Sequence, residues 1–128
     1  MKILLDTHVW LWWLTEPERL PKKIREAVEN RANQLCFSVA SSWEIAIKYA
    51  AGKLPLPEEP VDFVPKRLMR DGVGTLAIEH RHALHVSRLP LHHHDPFDRL
   101  LIAQGVLEKI PIATVDPKFA KYDVKIIG

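Results

Sequence analysis

Short apolar runs without polar alternation recur along this chain, and segments with helical spacing separate them. The first run, KILL at residues 2–5, ends at Asp6 and is typical of a strand covered on both faces by helices. Such a strand belongs in the middle of a sheet. Because strands and helices alternate to the end of the chain, we predict an α/β fold of three layers, α/β/α, with a central, mostly parallel sheet of about five short strands.

The other elements follow from periodicity, caps and breakers. Helices are expected over residues 8–14, 22–32, 61–70 and 79–87, from Ser41 to a stop at Gly52, and from Asp95-Pro96 through FDRLLIAQGVLEK. Further strands are expected at LCFSV (35–39), GVGTLAI (72–78), IPIATV (110–115) and VKII (124–127).

Composition limits the class of protein. With 128 residues, of which 47% are hydrophobic and 27% charged, one domain over residues 1–128 is expected. The apolar stretch from Val9 to Leu14 is too short to span a bilayer, and MKILLD reaches an aspartate too soon for a secretory signal, so we expect a cytoplasmic protein with no membrane partner. Cys36 is the only cysteine, which excludes an internal disulfide and favours a core position. A net charge of +2 permits contact with a polyanion without indicating one.

Four acidic residues stand where an apolar run gives way to a helix start: Asp6, Glu44, Asp98 and Asp116. Taken singly, each is explained by helix capping; Ser41 and Glu44, for instance, fit a capping box. Taken together they point elsewhere, because helix N-termini that follow parallel strands all lie at one edge of the sheet. Neighbouring carboxylates repel by roughly a few kcal/mol per pair at an effective dielectric of ~20, so we expect a cation among them. Carboxylate oxygens suit Mg²⁺ or Mn²⁺, whereas the lack of paired Cys and His argues against structural zinc.

Four strings, in this order and spacing, resemble the PIN-domain nucleases, specifically the VapC-like toxins of bacterial and archaeal toxin–antitoxin pairs. They are Asp6-Thr7 after the first strand, SSWEIAIK at residues 41–48, DPFDRLLIAQ at 95–104 and T-x-D at 114–116. The third string is highly specific, and the resemblance covers nearly the whole chain. One departure is His8, where many relatives have Asn; another is His94, where relatives often have a basic residue.

The resemblance implies a PIN-like fold and a metal-dependent endoribonuclease. By this resemblance, four residues bind the metal and take part in catalysis: Asp6, Glu44, Asp98 and Asp116. The implied reaction is hydrolysis of RNA phosphodiester bonds with Mg²⁺ or Mn²⁺, and candidate targets are tRNA and rRNA. The resemblance also implies inhibition of translation, a cognate VapB-like antitoxin, a homodimer or toxin–antitoxin hetero-oligomer, and contact with operator DNA only through the antitoxin.

Four other residues are candidates for supporting or substrate-contacting roles: Thr7, Thr114, Arg99 and Asp95. Thr7 is suited to cap the first helix, and Thr114 to orient Asp116 or a metal-bound water. Arg99 suits a bridge to a neighbouring carboxylate, a contact with substrate phosphate, or a structural role. Asp95 is expected to cap its helix rather than to bind the metal.

Aromatic and histidine clusters leave alternatives open. Trp10, Trp12 and Trp13 share one short helix, so at least one indole is expected to face a groove that suits an antitoxin segment, a dimer partner or, less readily, a stacked base. Trp43 is expected to pack under the site. Residues 92–94 are three histidines. Consecutive loop residues point in different directions, which argues against zinc binding by all three. A contact with phosphate or a position in a solvated loop is favoured instead.

Two other functions fit parts of the sequence. The first is a non-catalytic PIN-like scaffold that binds RNA or protein and keeps its acids for capping alone. The second is a phosphoryl-transfer receiver or phosphatase with Asp6 as nucleophile, which lacks the expected D-x-D arrangement after the first strand. The retention of all four acids argues against the scaffold, and the missing D-x-D arrangement and lysine motif argue against the receiver or phosphatase.

Overall fold

The first strand of the chain forms the centre of the molecule. The computed structural model describes residues 1–128 and contains one sheet of five strands: β1 (Lys2–Leu5), β2 (Gln34–Ser38), β3 (Gly74–Leu76), β4 (Ile112–Ala113) and β5 (Ile126–Ile127). Their order is β3-β2-β1-β4-β5, and every neighbouring pair is parallel. The predicted sheet of five short strands, with the first strand in its middle, is therefore confirmed, and it is wholly rather than mostly parallel.

Helices cover both faces of the sheet. They are α1 (Thr7–Thr15), α2 (Lys22–Glu29), α3 (Val39–Ala50), α4 (Pro60–Arg70), α5 (His80–His85) and α6 (Pro96–Glu108). Short 3-10 turns occupy residues 17–19, 86–88 and 117–121. The predicted three-layer α/β/α arrangement is confirmed.

Alternate residues of the central strands pack into two separate hydrophobic cores, one on each face of the sheet. Ile3 and Leu5 face a core of 15 buried residues, to which α1, α2 and α4 contribute. Leu4 and Cys36 point the other way, into a core of 10 buried residues that includes the apolar face of α6. Since side chains of a strand alternate between faces, an apolar run such as KILL without polar alternation is what burial on both faces requires.

The start of α3 differs from the prediction. The helix begins at Val39, and Ser38 is its N-cap, with its hydroxyl accepting a hydrogen bond from the Ala40 backbone at 3.0 Å. Ser41 is thus a residue of the helix interior, and the predicted capping box with Glu44 is wrong. The apolar run LCFSV concealed this boundary, because Val39 continues the strand pattern although the backbone has already turned into the helix.

Other helix ends differ by a few residues. The second predicted helix ends at Glu29 rather than residue 32, and the predicted helix over residues 79–87 is divided into α5 and a 3-10 turn. None of the helices combines the length and apolar character needed to cross a bilayer.

Cys36 occupies the predicted core position, with 3% of its surface exposed. Its thiol donates to the backbone carbonyl of Ile3 at 3.4 Å. Burial raises the pKa of this thiol to about 11, so at neutral pH it is a packed, uncharged side chain.

Candidate active site

The candidate site lies at the carboxyl edge of the sheet, where the strand order reverses. From β1 the chain proceeds to β2 and β3 on one side, and later returns to β4 and β5 on the other. Asp6 follows β1 directly, and Asp116 lies three residues beyond β4. Glu44 is in α3, the helix that follows β2, and Asp98 is in the first turn of α6. Such a switch point is where open parallel sheets form a ligand-binding crevice.

Asp6 is almost fully enclosed, with 3% of its surface exposed. Its Oδ2 accepts a hydrogen bond of 2.7 Å from the Thr114 hydroxyl, whereas its Oδ1 is buried without a hydrogen-bond partner. Burial raises the pKa of Asp6 above its usual value, although the bond from Thr114 opposes this shift. Asp6 is also the N-cap of α1, but its side chain makes no capping hydrogen bond. Capping therefore does not account for this carboxylate.

Glu44 is equally enclosed, at 2% exposed, and one of its oxygens is also unpaired. Its Oε2 lies 2.5 Å from the Lys48 ammonium one helical turn later, and its Oε1 is buried without a partner. The i,i+4 spacing of Glu44 and Lys48 favours such an ion pair, and the structure contains it. Burial lowers the pKa of Lys48, but the hydrogen bond and charge of Glu44 outweigh it and raise that pKa overall.

Asp98 is the acid whose pKa is raised by its burial and by the charges of the other acids. Burial, followed by the charges of Asp6, Asp95, Glu44 and Asp116, raises the pKa of Asp98 to about 8. Asp95 holds this first turn in place, because its Oδ1 accepts from the backbone amides of Phe97 at 2.9 Å and Asp98 at 3.0 Å. The predicted role of Asp95 as a cap is confirmed.

Asp116 combines capping with a contact to a histidine. Its Oδ1 accepts from the Lys118 amide at 2.9 Å, and its Oδ2 lies 2.8 Å from Nε2 of His93. Burial favours the protonated form, but these two hydrogen bonds and the nearby charge of Lys118 prevail and hold the pKa of Asp116 below its usual value. The same Nε2 is 3.0 Å from Oδ2 of Asp98. His93 therefore bridges two of the four predicted acids.

These donors fit a divalent cation. One potential ligand atom from each of His93, Asp98 and Asp116 lies within 4.8 Å of the others. The unpaired Oδ1 of Asp6 and Oε1 of Glu44 are buried acceptors that a cation would satisfy. Because most of these atoms are carboxylate oxygens, the set suits a hard, six-coordinate ion better than structural zinc.

The threonines predicted to support the site are both buried in it. The Thr114 hydroxyl donates to the carboxylate of Asp6 and accepts from the backbone amide of Asp116 at 3.0 Å. It does not contact the carboxylate of Asp116. Thr7 does not cap α1 but is its first residue, and its hydroxyl donates to that of Ser41 at 2.7 Å. This bond ties the start of α1 to α3, the helix that carries Glu44.

Arg99 contacts none of the carboxylates. Its guanidinium donates to four backbone carbonyls, at distances of 2.9 to 3.3 Å: those of Val86, Leu89, Pro90 and His93. Of the predicted roles, the structural one is therefore observed, and the bridge to a carboxylate is wrong. Arg99 organises the loop that precedes α6.

The prediction for Trp43 is also wrong. This indole is 55% exposed and packs edge-on against Phe97, with ring centroids 5.1 Å apart, so it lies beside the site rather than beneath it. Among the three tryptophans of α1, Trp10 is fully buried and Trp12 lines a groove of about 380 Å³ that reaches Glu44 and Lys48. The expectation that an indole faces a groove is confirmed.

His93 is the site residue that sequence reasoning missed. The triple at residues 92–94 marks the loop, but spacing does not indicate which ring turns inward, because that depends on contacts with the distant Arg99 and Tyr122.

A model of the PIN domain family matches residues 3–125. The chain belongs to the PIN-domain family. Ribonuclease VapC16 of Mycobacterium tuberculosis is 43% identical over 76 residues, which are 54% of this chain and 54% of that protein. The match thus spans about half the length of this relative. Ribonuclease VapC22 of the same organism is 27% identical over 121 residues, which are 94% of this chain and 91% of that protein.

Solved structures share the fold of this PIN domain. The VapBC2 complex from Rickettsia felis, bound to a DNA fragment from its promoter, matches with a TM-score of 0.71 at 14% identity over 98% of this chain and 97% of the other. VapBC-1 from nontypeable Haemophilus influenzae matches with a TM-score of 0.68 at 18% identity over 98% and 96%. At these identities the likeness establishes the architecture alone.

Proposed function

We propose that residues 1–128 form a single PIN domain that acts as a metal-dependent endoribonuclease, with Mg²⁺ or Mn²⁺ held by four residues: Asp6, Glu44, Asp98 and Asp116. The observation that carries this proposal is the pair of buried carboxylate oxygens without partners, Oδ1 of Asp6 and Oε1 of Glu44, at the switch point of the sheet. Buried acceptors of this kind are rare unless a ligand satisfies them. The names of the two ribonuclease relatives support RNA as the substrate class.

When bound, the divalent ion would contact phosphate oxygens, acidify a water and neutralise charge on the leaving oxygen. The residues of the chain prepare its site. Thr114 fixes one oxygen of Asp6 and leaves the other free, and Lys48 does the same for Glu44. Asp95 fixes the first turn of α6 and so the position of Asp98.

We further propose that the protein is the toxin of a toxin–antitoxin pair, inhibits translation and is neutralised by a VapB-like antitoxin. The groove beside Glu44 supports a peptide partner, since Leu11, Trp12, Ile45, Leu54 and Leu56 line it. A homodimer or hetero-oligomer is supported by the exposed apolar stripe of α3, where Val39, Trp43 and Ile47 recur every four residues.

The first test is cleavage of end-labelled total RNA by antitoxin-free protein with Mg²⁺, with Mn²⁺ or with chelator. Metal-dependent cuts are expected, and Asp6→Asn and Glu44→Gln should abolish them without unfolding the protein. Asp123→Asn is the matched control, because Asp123 is an exposed aspartate outside the cluster, and it should cut as the native protein does.

The products separate the proposal from its alternatives. Hydrolysis by a water should leave 5′-phosphate and 3′-hydroxyl ends, so a cyclic phosphate would refute this mechanism. Binding of RNA without cuts in any lane, by protein that binds Mg²⁺, would favour the non-catalytic scaffold.

A further inference from the structure

One ring nitrogen of His93 contacts two carboxylates of the acidic cluster. Its ring is buried, with 7% of the residue exposed, and Nε2 lies 2.8 Å from Oδ2 of Asp116 and 3.0 Å from Oδ2 of Asp98. The contact with Asp116 is a hydrogen bond, and the contact with Asp98 is a close polar contact to the same nitrogen. One ring nitrogen thus lies between two carboxylates from separate elements of the fold.

The contact of the other ring nitrogen favours one tautomer. The backbone amide of Asp95 donates to Nδ1 of His93 at 3.3 Å, which requires a lone pair on Nδ1. In a neutral imidazole the proton then resides on Nε2, the atom that faces the two carboxylates. Nε2 is therefore a hydrogen-bond donor, whereas a metal ligand at this atom would need the proton on Nδ1.

The loop around His93 is anchored at several points that hold the ring in this position. The His93 amide donates to the Tyr122 hydroxyl at 2.8 Å, and its carbonyl accepts from Arg99 at 3.2 Å. The ring packs edge-on against Phe119, with centroids 5.7 Å apart. Tyr122 also donates to Pro90 in the same loop at 2.7 Å.

We propose that His93 is a positioning residue: its Nε2–H draws Asp98 and Asp116 together for the divalent cation, and the imidazole does not itself bind the ion. This deepens the proposed function and rests on it for the presence of the ion. Once Asp98 is ionised, its carboxylate in α6 and that of Asp116 after β4 repel each other. A shared donor offsets that repulsion and leaves the second oxygen of Asp98 free for the ion. Hard cations such as Mg²⁺ prefer oxygen ligands, which agrees with a histidine outside the coordination shell.

The tautomer is measured by long-range ¹H–¹⁵N correlation spectra of the histidine rings, without metal and with Mg²⁺. We expect His93 to show a protonated Nε2 and an unprotonated Nδ1 in both states. A proton on Nδ1 in either state would make His93 a candidate ligand and overturn the proposal.

Calorimetric titration with Mg²⁺ tests the positioning role. His93→Ala should lower the affinity by about tenfold, the usual effect of removing a group that orients metal ligands, and His93→Gln should recover most of it because its amide can donate to the same carboxylates. Exposed His94 provides the matched control, and His94→Ala should leave the affinity for Mg²⁺ unchanged.

Equal losses in His93→Ala and His93→Gln would show that the ring acts by packing alone, and an unchanged affinity in folded His93→Ala would show that it does not act at all; either result refutes the proposal. Melting curves establish that each variant is folded. Neither spectrum nor titration uses RNA, so a failure of the nuclease activity would be seen separately from a failure of this inference.

Discussion

The guanidinium of Arg99 shows how one side chain can organise a loop of eight residues. It is 9% exposed and donates to four carbonyls between Val86 and His93. Lys has a single ammonium and cannot reproduce this planar arrangement of donors. Each buried carbonyl that loses its hydrogen-bond donor lowers the stability of the folded protein.

We therefore expect Arg99→Lys to lower the free energy of unfolding by about 2–4 kcal/mol, since several hydrogen bonds from a charged group are lost. Urea denaturation measures this difference. Arg31 is exposed, and the control Arg31→Lys should change stability by less than about 0.5 kcal/mol. Equal stability of Arg99→Lys and the native protein would show that the loop is held by other contacts.

The hydrogen bond from Thr114 to Asp6 can be removed by a substitution that keeps the shape of the side chain. Thr114→Val removes the hydroxyl that donates to Oδ2 of Asp6, and with it an interaction that lowers the pKa of that carboxyl. We expect the affinity for Mg²⁺ to fall by about 10–100-fold, as for other partners of metal ligands. Titration calorimetry would reveal the loss.

The comparison for this variant is Thr75→Val, because Thr75 is also a strand residue but is exposed. It should bind Mg²⁺ as the native protein does. If both variants bind equally well, the hydroxyl of Thr114 does not prepare Asp6 for the ion.

Residue types and spacing singled out four acids as candidates and favoured the pair of Glu44 with Lys48, but they did not indicate the partners of Asp6 and Asp116. Asp6, Glu44 and Asp98 belong to short strings whose pattern is local in the chain. The partner of Asp6 is 108 residues away, at Thr114, and the ring of His93 is positioned by residues that contact it only after folding. Contacts of this kind depend on the packing of distant elements, which local patterns do not specify.

At the scale of elements, α6 approaches the sheet closely because Gly105 has no side chain. A Cβ at this position would lie 2.8 Å from Cδ1 of Ile112 in β4 and 2.9 Å from Cγ2 of Val124. Glycine is unfavourable within a helix by about 1 kcal/mol relative to alanine. Close packing of α6 on β4 explains its presence here.

Gly105→Ala should consequently destabilise the protein by about 1 kcal/mol, because overpacking of a buried contact exceeds the gain in helix propensity. Chemical denaturation tests this expectation. At Gly74 a new Cβ would meet only the Leu35 carbonyl, at an ordinary 3.7 Å, so Gly74→Ala is the control without a clash. A stabilised Gly105→Ala would mean that α6 can move away from the sheet freely.

Elements with a strong local signal were predicted well, and their boundaries less so. Asp95 and Pro96 mark the start of α6 unambiguously, since a cap and a first-turn proline coincide. At α3, by contrast, Ser38 and Ser41 are both plausible caps, and the choice between them depends on how far β2 pairs with β1. That pairing ends at Phe37 and leaves Ser38 to cap the helix.

Across the whole molecule, the acidic cluster links folding to pH in the absence of metal. The pKa of Asp98 is about 8 in the folded protein, against 3.8 for an ordinary aspartate. Between these values the folded state holds a proton that the unfolded state has released, so stability falls as pH rises from about 4 to about 8.

Metal-free protein should therefore be less stable at pH 8 than at pH 5, by a few kcal/mol if the shift of Asp98 dominates. Asp98→Asn should remove most of this decline, and Mg²⁺ should offset it at pH 8 by binding the folded state. Melting temperatures in chelator and in Mg²⁺ provide the measurement. A decline of the same size in Asp98→Asn would assign the effect to other groups.

The burial of Cys36, a β2 residue whose side chain lies in the core between the sheet and α6, makes its thiol a reporter of conformational opening. A thiol with a pKa of about 11 and 3% exposure should resist disulfide reagents until the core that covers this face of the sheet opens. The slow rate of thiol labelling would then measure the free energy of that opening, as hydrogen exchange does for amides. Prompt labelling of the folded protein would contradict this expectation. Since no other cysteine is present, a second one introduced on the surface could carry a probe selectively while the interior thiol stays unmodified.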